Sequence, residues 1–269
     1  MPELPEVETI RRQLEKLIVG KTISSIEVLN PGSFRADANG LIGKTVTAVG
    51  RKGKVLIIKQ QATSNRQQDF YIHLKMSGQL LFLNHKSYII NHKHVRVIIH
   101  FADNSHLQFI DQRKFGWITD DPAALPSGTD ALDPSLLSNK LEKIIASSSR
   151  PIKQIILDQS KIAGIGNIYA SEILWQAGIS PLEKGRALPR QGSALIYSMR
   201  KILTEAIDSG GSTMADGLYQ HVGGESGNYW SRRRVYDREE EPCLRCKTPI
   251  KKVVIGQRST YWCPNCQVE

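Results

Sequence analysis

Apolar side chains recur at helical spacing over the first twenty residues, and the pattern then changes to short apolar runs. The helical set has charged residues between its members and stops near Gly20; its members are Val7, Ile10, Leu14, Leu17 and Ile18. From about residue 21 to residue 120 the chain is rich in β-branched and aromatic residues, as in KTVTAVGRKGKVLIIK and HVRVIIHF, with turn signals between the runs. Many short strands without intervening helices predict a β-sandwich or β-barrel behind one helix.

The pattern changes again after residue 120. The stretch DDPAALPSGTDALDP holds three of the 12 prolines and indicates a linker. Helical patterns follow at 135–147, 151–158, 167–177 and 192–209. The next segment, 210–238, is rich in Gly and Arg with little periodicity, which predicts a long loop. We therefore predict three domains, with bounds 1–130, 131–238 and 239–269.

Charge narrows the class of partner. The chain carries 36 Lys+Arg against 26 Asp+Glu, a net charge of +10, which favours a polyanion: nucleic acid first and an anionic membrane surface second. The acidic N-terminus lacks the apolar core of a secretory signal. No apolar run approaches the ~20 residues that a membrane helix needs. We expect a soluble intracellular protein.

All four cysteines lie after residue 240, in the pattern C-x2-C-x16-C-x2-C. This spacing is typical of a zinc ribbon, and four thiolates close a tetrahedral site around one structural Zn²⁺. The alternative, two redox pairs, lacks a thioredoxin-like βαβ context. The residues between the two cysteine pairs include several lysines and an arginine and no acidic residue, so a basic hairpin between the pairs suits a DNA groove.

The stretch AGIGN joins two helical patterns. Gly164 and Gly166 permit a tight turn, and Asn167 is predicted to be the N-cap of the helix that ends at Gly178. Asn167 either caps this helix and does nothing more, or contributes with the exposed backbone N–H groups to a phosphate site. The glycine turn alone does not decide between them.

Five blocks occur in one order across nearly the whole chain: MPELPEVET, HLKMSG, DQRKFG, AGIGNIYASE and the four-cysteine segment. Together they make the chain resemble the formamidopyrimidine-DNA glycosylase family, which also includes endonuclease VIII. The resemblance implies an α+β multidomain fold: an N-terminal β-sandwich flanked by helices, a helix–two-turns–helix domain and a C-terminal zinc-ribbon β-hairpin. It also implies that DNA binds between the two halves.

The resemblance implies excision of oxidised purines, such as 8-oxoguanine and formamidopyrimidines, from duplex DNA, followed by strand cleavage through β,δ-elimination. Pro2 corresponds to the family's nucleophile, which acts after the initiator methionine is removed. A terminal proline is a secondary amine and forms a charged iminium (Schiff base) with the sugar, whereas an internal proline nitrogen is not nucleophilic. Glu3 corresponds to the proton donor and acceptor.

Further roles follow from the same resemblance. Lys54 corresponds to the proton donor for β-elimination and contacts phosphate, and Arg258 corresponds to the proton donor for δ-elimination and clamps phosphate. The expected DNA-binding residues are His73, Met76, Arg113, Phe115 and Asn167. The expected metal ligands are Cys243, Cys246, Cys263 and Cys266. The expected partner is double-stranded DNA with oxidised bases or abasic sites, bound by a monomer in a bacterial cytoplasm and, when bound, at the nucleoid.

Two alternatives stay open. An endonuclease VIII-like enzyme would act on oxidised pyrimidines, although the DQRKFG block favours purines. A non-catalytic zinc-ribbon protein that binds distorted DNA would not need Pro2 or Glu3. Residues 214–216 read Met-Ala-Asp where some family members carry an Arg-Asp pair, so loop 212–237 leaves lesion preference undetermined. Glu8 is interpreted as a carboxylate that complements the positive end of the first helix.

Overall fold

The computed structural model describes residues 1–61, 69–84, 93–188, 191–214, 217 and 219–267. These residues form two compact units, one made of residues 1–125 and 209–230 and the other of residues 126–208 and 231–269. The unit boundary at residue 125 lies inside the proline-containing stretch. The three-domain bounds stay a prediction.

The first unit opens with α1 (Leu4–Ile18). Its strands, in chain order, are β1 (Ile23–Val28), β2 (Phe34–Arg35), β3 (Val46–Lys52), β4 (Val55–Gln60), β5 (Phe70–His73), β6 (Gly78–Leu83), β7 (Val95–Phe101), β8 (His106–Asp111) and β9 (Trp117–Thr119). A short helix α2 (Ala38–Leu41) lies between β2 and β3.

These strands form two sheets. The four-stranded sheet has the order β1-β7-β8-β6 and is antiparallel throughout. The five-stranded sheet has the order β2-β9-β5-β4-β3, and only its β2–β9 pair is parallel. Alternate residues of β7, such as Val97 and Ile99, join Ile72 of β5 and Leu14 of α1 in one hydrophobic core. The predicted β-sandwich with a flanking helix is confirmed.

Residues of the segment 209–230 pack into this first core, although the segment follows the last helical pattern, 192–209, in the sequence. Tyr219 and Val222 are buried there, and the Val222 carbonyl accepts a hydrogen bond of 3.1 Å from the backbone of Phe82 in β6. The Val222 N–H donates to the side chain of Gln13 in α1 at 3.0 Å. Described residues of the segment predicted as a long loop therefore belong to the core of the first unit.

The second unit is mainly helical. Its elements are β10 (Thr129–Asp130), α3 (Ser138–Ala146), α4 (Ile152–Leu157), β11 (Ile162–Ala163), α5 (Asn167–Ala177), α6 (Gly192–Asp208), β12 (Lys251–Ile255) and β13 (Arg258–Trp262). β10 pairs with β11 in parallel, and β12 pairs with β13 as an antiparallel hairpin. All four helices agree with the predicted helical patterns. Within the described ranges, no helix has the length and apolar character of a membrane span.

Candidate active site

The start of α1 is buried and held in place by carboxylates. Pro2 is buried, and Glu3, which precedes the helix as its N-cap, is only 2% exposed. Pro5 suits the first helical turn because its missing N–H would have had no partner there. The Oε2 of Glu6 accepts a hydrogen bond of 2.7 Å from the Glu3 backbone N–H. The residue pair predicted to carry the chemistry is thus fixed by the first turn of its own helix.

Glu6 also binds the returning segment 209–230. Its Oε1 accepts a hydrogen bond of 2.8 Å from the backbone N–H of Ser212, and its side chain is almost fully buried. The hydroxyl of Tyr219 donates to the Gly210 carbonyl at 3.0 Å, and burial, then the Glu6 carboxylate, raises the pKa of that phenol. One carboxylate therefore connects the first helix to a segment about 200 residues away, a contact that no local sequence pattern predicted.

Lys54 lies in the turn between β3 and β4, beside His73 of the five-stranded sheet. Lys54 is 9% exposed, and its neighbour Val55 pairs with His73 across β4 and β5. Burial first, then the charges of Lys75 and Lys54, lowers the pKa of His73 to about 3. His73 is therefore neutral at physiological pH. Its Nδ1 accepts the Lys75 backbone N–H at 2.9 Å, which leaves the ring hydrogen on Nε2, where it is available for donation.

Two loop tips present apolar side chains. Met76 is 40% exposed and Phe115 is 50% exposed, and the Arg113 guanidinium lies 4.9 Å from the centroid of the Phe115 ring. Large apolar side chains that a fold leaves exposed together indicate a binding surface. The structure therefore places these three predicted DNA-binding residues on exposed loops and not in the core.

A buried carboxylate supports the same loops. The Oδ1 of Asp111, at the end of β8, accepts from the Ser77 hydroxyl at 2.5 Å and from the Arg113 backbone N–H at 3.1 Å. Its Oδ2 accepts from the backbone N–H of Gly116 at 2.7 Å. Lys114 adopts a left-handed conformation with φ of 58°, which a non-glycine residue keeps only where its surroundings enforce it. Asp111 thereby fixes the loop that presents Arg113.

In the second unit, Asn167 and the residue after Arg258 are hydrogen-bonded to each other. The Nδ2 of Asn167 donates to the Ser259 carbonyl at 2.9 Å, while Arg258 is exposed at the start of β13. The predicted N-cap is wrong: Gly166 is the N-cap and Asn167 is the first residue of α5. The Asn167 amide joins the zinc-ribbon hairpin to the helix, and local sequence could not reveal that tertiary partner.

Lys153 of α4 strengthens this junction. Its side chain is fully buried, and Nζ donates to the Ser259 carbonyl at 3.1 Å and to the Thr260 hydroxyl at 2.8 Å. A buried ammonium needs such partners because desolvation otherwise makes its charge costly. The role of Lys153 was not predicted from the sequence, since a lysine in an amphipathic helix normally faces solvent.

The four cysteines form a compact metal site. Their sulfur atoms all lie within 4.8 Å of one another, with Sγ–Sγ distances of 3.9 Å for Cys243–Cys266 and 3.4 Å for Cys246–Cys263. Zn–S bonds of about 2.3 Å in a tetrahedron require sulfur separations of about 3.8 Å, so the set fits one Zn²⁺. In the part of the chain that the structure describes, this is the one group of three or more potential ligands. The zinc is structural because four thiolates leave no open position.

The metal site is attached to the C-terminal end of α5. Trp175 packs with Cys243 and Cys263, and the Arg245 guanidinium lies 3.8 Å from the Trp175 ring centroid. Arg245 also donates to the carbonyls of Trp175 and Gln176 at 3.0 and 3.3 Å, in the last turn of the helix, where carbonyls lack their usual i+4 donors. The zinc knuckle thus supports the helix that begins with Asn167.

Family models match almost the whole chain. Residues 1–118 match the formamidopyrimidine-DNA glycosylase N-terminal domain, residues 127–217 match the formamidopyrimidine-DNA glycosylase H2TH domain, and residues 240–268 match the zinc finger found in FPG and IleRS. The three matches agree with the β-sandwich, the helical region and the four-cysteine site that the structure contains. They define the chain as a base-excision DNA glycosylase with a zinc finger.

Comparison with individual proteins leads to the same family. The formamidopyrimidine-DNA glycosylase of Streptococcus pneumoniae is 35% identical over 99% of both chains, and that of Chloroflexus aurantiacus is 38% identical over 100% of this chain and 98% of the relative. The MutM (Fpg) protein of Thermus thermophilus is 32% identical over 99% of this chain and 98% of its own, with a TM-score of 0.88. The Lactococcus lactis Fpg, solved with DNA containing an abasic site, is 32% identical over 99% of this chain and 100% of its own, with a TM-score of 0.87. This chain belongs to the formamidopyrimidine-DNA glycosylase family.

Proposed function

We propose that the chain removes oxidised purines, such as 8-oxoguanine and formamidopyrimidines, from duplex DNA and then cleaves the strand at the abasic site by β,δ-elimination. The observation that carries this proposal is the buried Pro2–Glu3 pair, where Glu6 fixes the Glu3 backbone at 2.7 Å directly beside Pro2. A protein that only bound DNA would not need a nucleophilic terminal proline with a carboxylate beside it.

The nucleophile requires removal of Met1. In the intact chain the Pro2 nitrogen is an amide, and after cleavage it is a secondary amine with a pKa near the ~8 of an α-amino group. Its lone pair forms the bond to the anomeric carbon as the bond to the damaged base breaks, and Glu3 supplies a proton to a departing group. Opening of the sugar then yields a cationic iminium.

The iminium accepts the electrons released in both eliminations. Loss of a proton from C2′ expels the 3′ phosphate, and loss of a second proton further along the conjugated system expels the 5′ phosphate. In this proposal Lys54 supplies a proton to the first leaving phosphate. Arg258 clamps phosphate for the second elimination, a role that suits its planar, permanently charged guanidinium.

The remaining site residues bind DNA. The neutral His73 ring supplies a hydrogen to a phosphate oxygen from Nε2, and the Asn167 amide has a second hydrogen beyond the one given to Ser259. Met76 and Phe115 fill the gap that a flipped nucleotide leaves, with Arg113 directed to the orphaned partner base. The net charge of +10 supports attraction to the duplex.

Solved relatives support this partner. The Lactococcus lactis Fpg was solved with DNA containing an abasic site, and a MutM protein was solved with DNA containing carbocyclic 8-oxo-G. We propose double-stranded DNA with oxidised bases or abasic sites as the substrate of this chain. The protein acts as a monomer in a bacterial cytoplasm and associates with the nucleoid when it is bound to DNA.

Borohydride trapping on a duplex with one 8-oxoguanine tests the chemistry. The processed protein should give a covalent adduct. A form that retains Met1 should lose it because its Pro2 nitrogen is an amide, and Pro2→Gly, which offers a primary amine in place of the secondary one, should give much less. Pro5→Ala is the matched control, since it changes a proline of the same helix that is no reagent. Full strand cleavage by Pro2→Gly would refute the mechanism. Faster reaction with oxidised pyrimidines in a lesion panel would favour the endonuclease VIII-like alternative, and no adduct with any lesion would favour the binding protein.

A further inference from the structure

A partly buried ion-pair network connects α1 to the turn that carries Lys54. The Oε2 of Glu8 accepts from Arg51 Nε at 3.1 Å, and its Oε1 accepts from Arg12 Nε at 2.9 Å and from Arg11 Nη2 at 3.1 Å. The side chains of Arg51 and Glu8 are only 8% and 12% exposed. Glu8 therefore binds three guanidinium groups, and its interpretation as a helix-end charge does not describe these contacts.

The network reaches the backbone beside Lys54. The Nη1 of Arg51 donates to the Gly53 carbonyl at 2.9 Å, so one guanidinium binds both Glu8 and the turn. Gly53 has φ of +59°, a left-handed conformation that glycine adopts without strain. Because Gly53 and Lys54 share a planar peptide bond, fixing the Gly53 carbonyl also fixes the plane that contains the Lys54 nitrogen and Cα, from which its side chain departs.

The three guanidinium groups around Glu8 keep its carboxylate ionised. Burial by itself raises the pKa of Glu8, but hydrogen bonds from Arg11, Arg12 and Arg51 lower it overall. Arg51 is held on one side by a carboxylate and on the other by a carbonyl, a two-sided contact that matches the rigid fork of a guanidinium and that a lysine ammonium does not reproduce.

We propose that Glu8 and Arg51 are positioning residues that hold Lys54 at a fixed position relative to α1, the helix that begins directly after Pro2 and Glu3. This inference rests on the proposed function, because it assigns the pair to the elimination step that Lys54 serves. Glu8 and Arg51 contact no reacting atom in this proposal. They act through the Gly53–Lys54 peptide.

The test separates elimination from base loss. Single-turnover β-elimination is measured on a duplex with one abasic site, and imine formation is measured by borohydride trapping on the same duplex. Arg51→Gln and Glu8→Gln should slow elimination about tenfold or more, since a small misplacement of a catalytic group has large kinetic effects. Imine formation should stay within about threefold of wild type, because Pro2 is untouched.

Two further variants define the cause. Arg51→Lys keeps the charge but cannot bind both Glu8 and Gly53, so it should remain as slow as Arg51→Gln. Glu15→Gln is the matched control: it removes a 2.7 Å ion pair with Arg11 on the same helix, and Glu15 is 49% exposed. This control should cleave at the wild-type rate.

Wild-type elimination by Arg51→Gln and Glu8→Gln, or an equal loss of imine formation and elimination, would overturn the inference. A double-mutant cycle of Lys54 and Arg51 tests the proposed function itself. If Lys54→Gln eliminates at the wild-type rate, the role assigned to Lys54 is wrong. If Lys54→Gln is slow, Arg51→Gln should add no further loss in that background. An additive loss there would show that Arg51 acts by another route.

Discussion

Glu6 offers the sharpest test of how the N-terminus is held. Its two oxygens accept from the backbones of Glu3 and Ser212 at 2.7 and 2.8 Å, in a site where Glu6 is 1% exposed. Glu6→Gln preserves shape and volume but replaces one acceptor oxygen with an NH2 group. One of the two backbone N–H groups then faces another donor.

The size of the effect follows from these contacts. A hydrogen bond to a charged acceptor contributes about 1.5–3 kcal/mol, and a buried donor left without an acceptor costs about 1–3 kcal/mol. The lost hydrogen bond and the unsatisfied donor concern the same N–H group, so the two costs are not simply added. Glu6→Gln should lower the free energy of unfolding by about 2–4 kcal/mol. Glu15→Gln, on the exposed side of the same helix, should change it by less than about 1 kcal/mol.

The measurement combines urea unfolding with hydrogen exchange at single amides. Glu6→Gln should reduce the unfolding free energy and accelerate exchange at the Ser212 N–H, while amides of α5 keep their wild-type protection. Base excision should fall as well, since the backbone of Glu3 loses its constraint. A Glu6→Gln protein within about 0.5 kcal/mol of wild type, with unchanged Ser212 exchange, would show that this carboxylate does not hold the segment.

Two other outcomes follow from the site. Because the pKa of His73 is lowered to about 3, its ring stays neutral in the folded protein above that pH. In the unfolded chain the same ring binds a proton below pH ~6.5. Wild type should therefore lose up to about 1.4 kcal/mol per pH unit relative to His73→Gln between pH ~6.5 and ~3, and equal pH profiles of unfolding would contradict this. Zinc removal with a chelator, or Cys243→Ser, should weaken duplex binding at least about tenfold while amide protection in β7 and β8 persists; zinc-free protein that binds DNA normally would exclude the structural role.

Local patterns predicted the helices of the second unit closely, and the reason is physical. The apolar spacing from Ile168 onward and the left-handed Gly178 define α5 within a single stretch of chain, and the helix indeed ends at Ala177 with Gly178 as its C-cap. The four cysteines were equally informative, because ligand chemistry constrains their spacing.

Long-range contacts were beyond the reach of such patterns. Asparagine is a common N-cap residue, yet the side-chain amide of Asn167 donates to the Ser259 carbonyl. Only the folded hairpin brings that carbonyl to the helix. Glu8 resembles an ordinary first-helix acid, yet it binds Arg51, which lies 43 residues away. The burial of Tyr219 and Val222 in the first core likewise depends on a chain reversal that no local signal records.

The discontinuous first unit has a consequence for the timing of maturation. Its core includes residues from 209–230, so the packing around Glu6 cannot be completed until those residues have left the ribosome. At about 5–20 residues per second, the N-terminus emerges on the order of ten seconds or more before that segment does. Methionine removal during this interval acts on an open chain end, whereas in the completed fold Pro2 is buried and only Met1 before it, at 37%, is exposed. The order of synthesis therefore lets an aminopeptidase expose the amine before the protein closes around it.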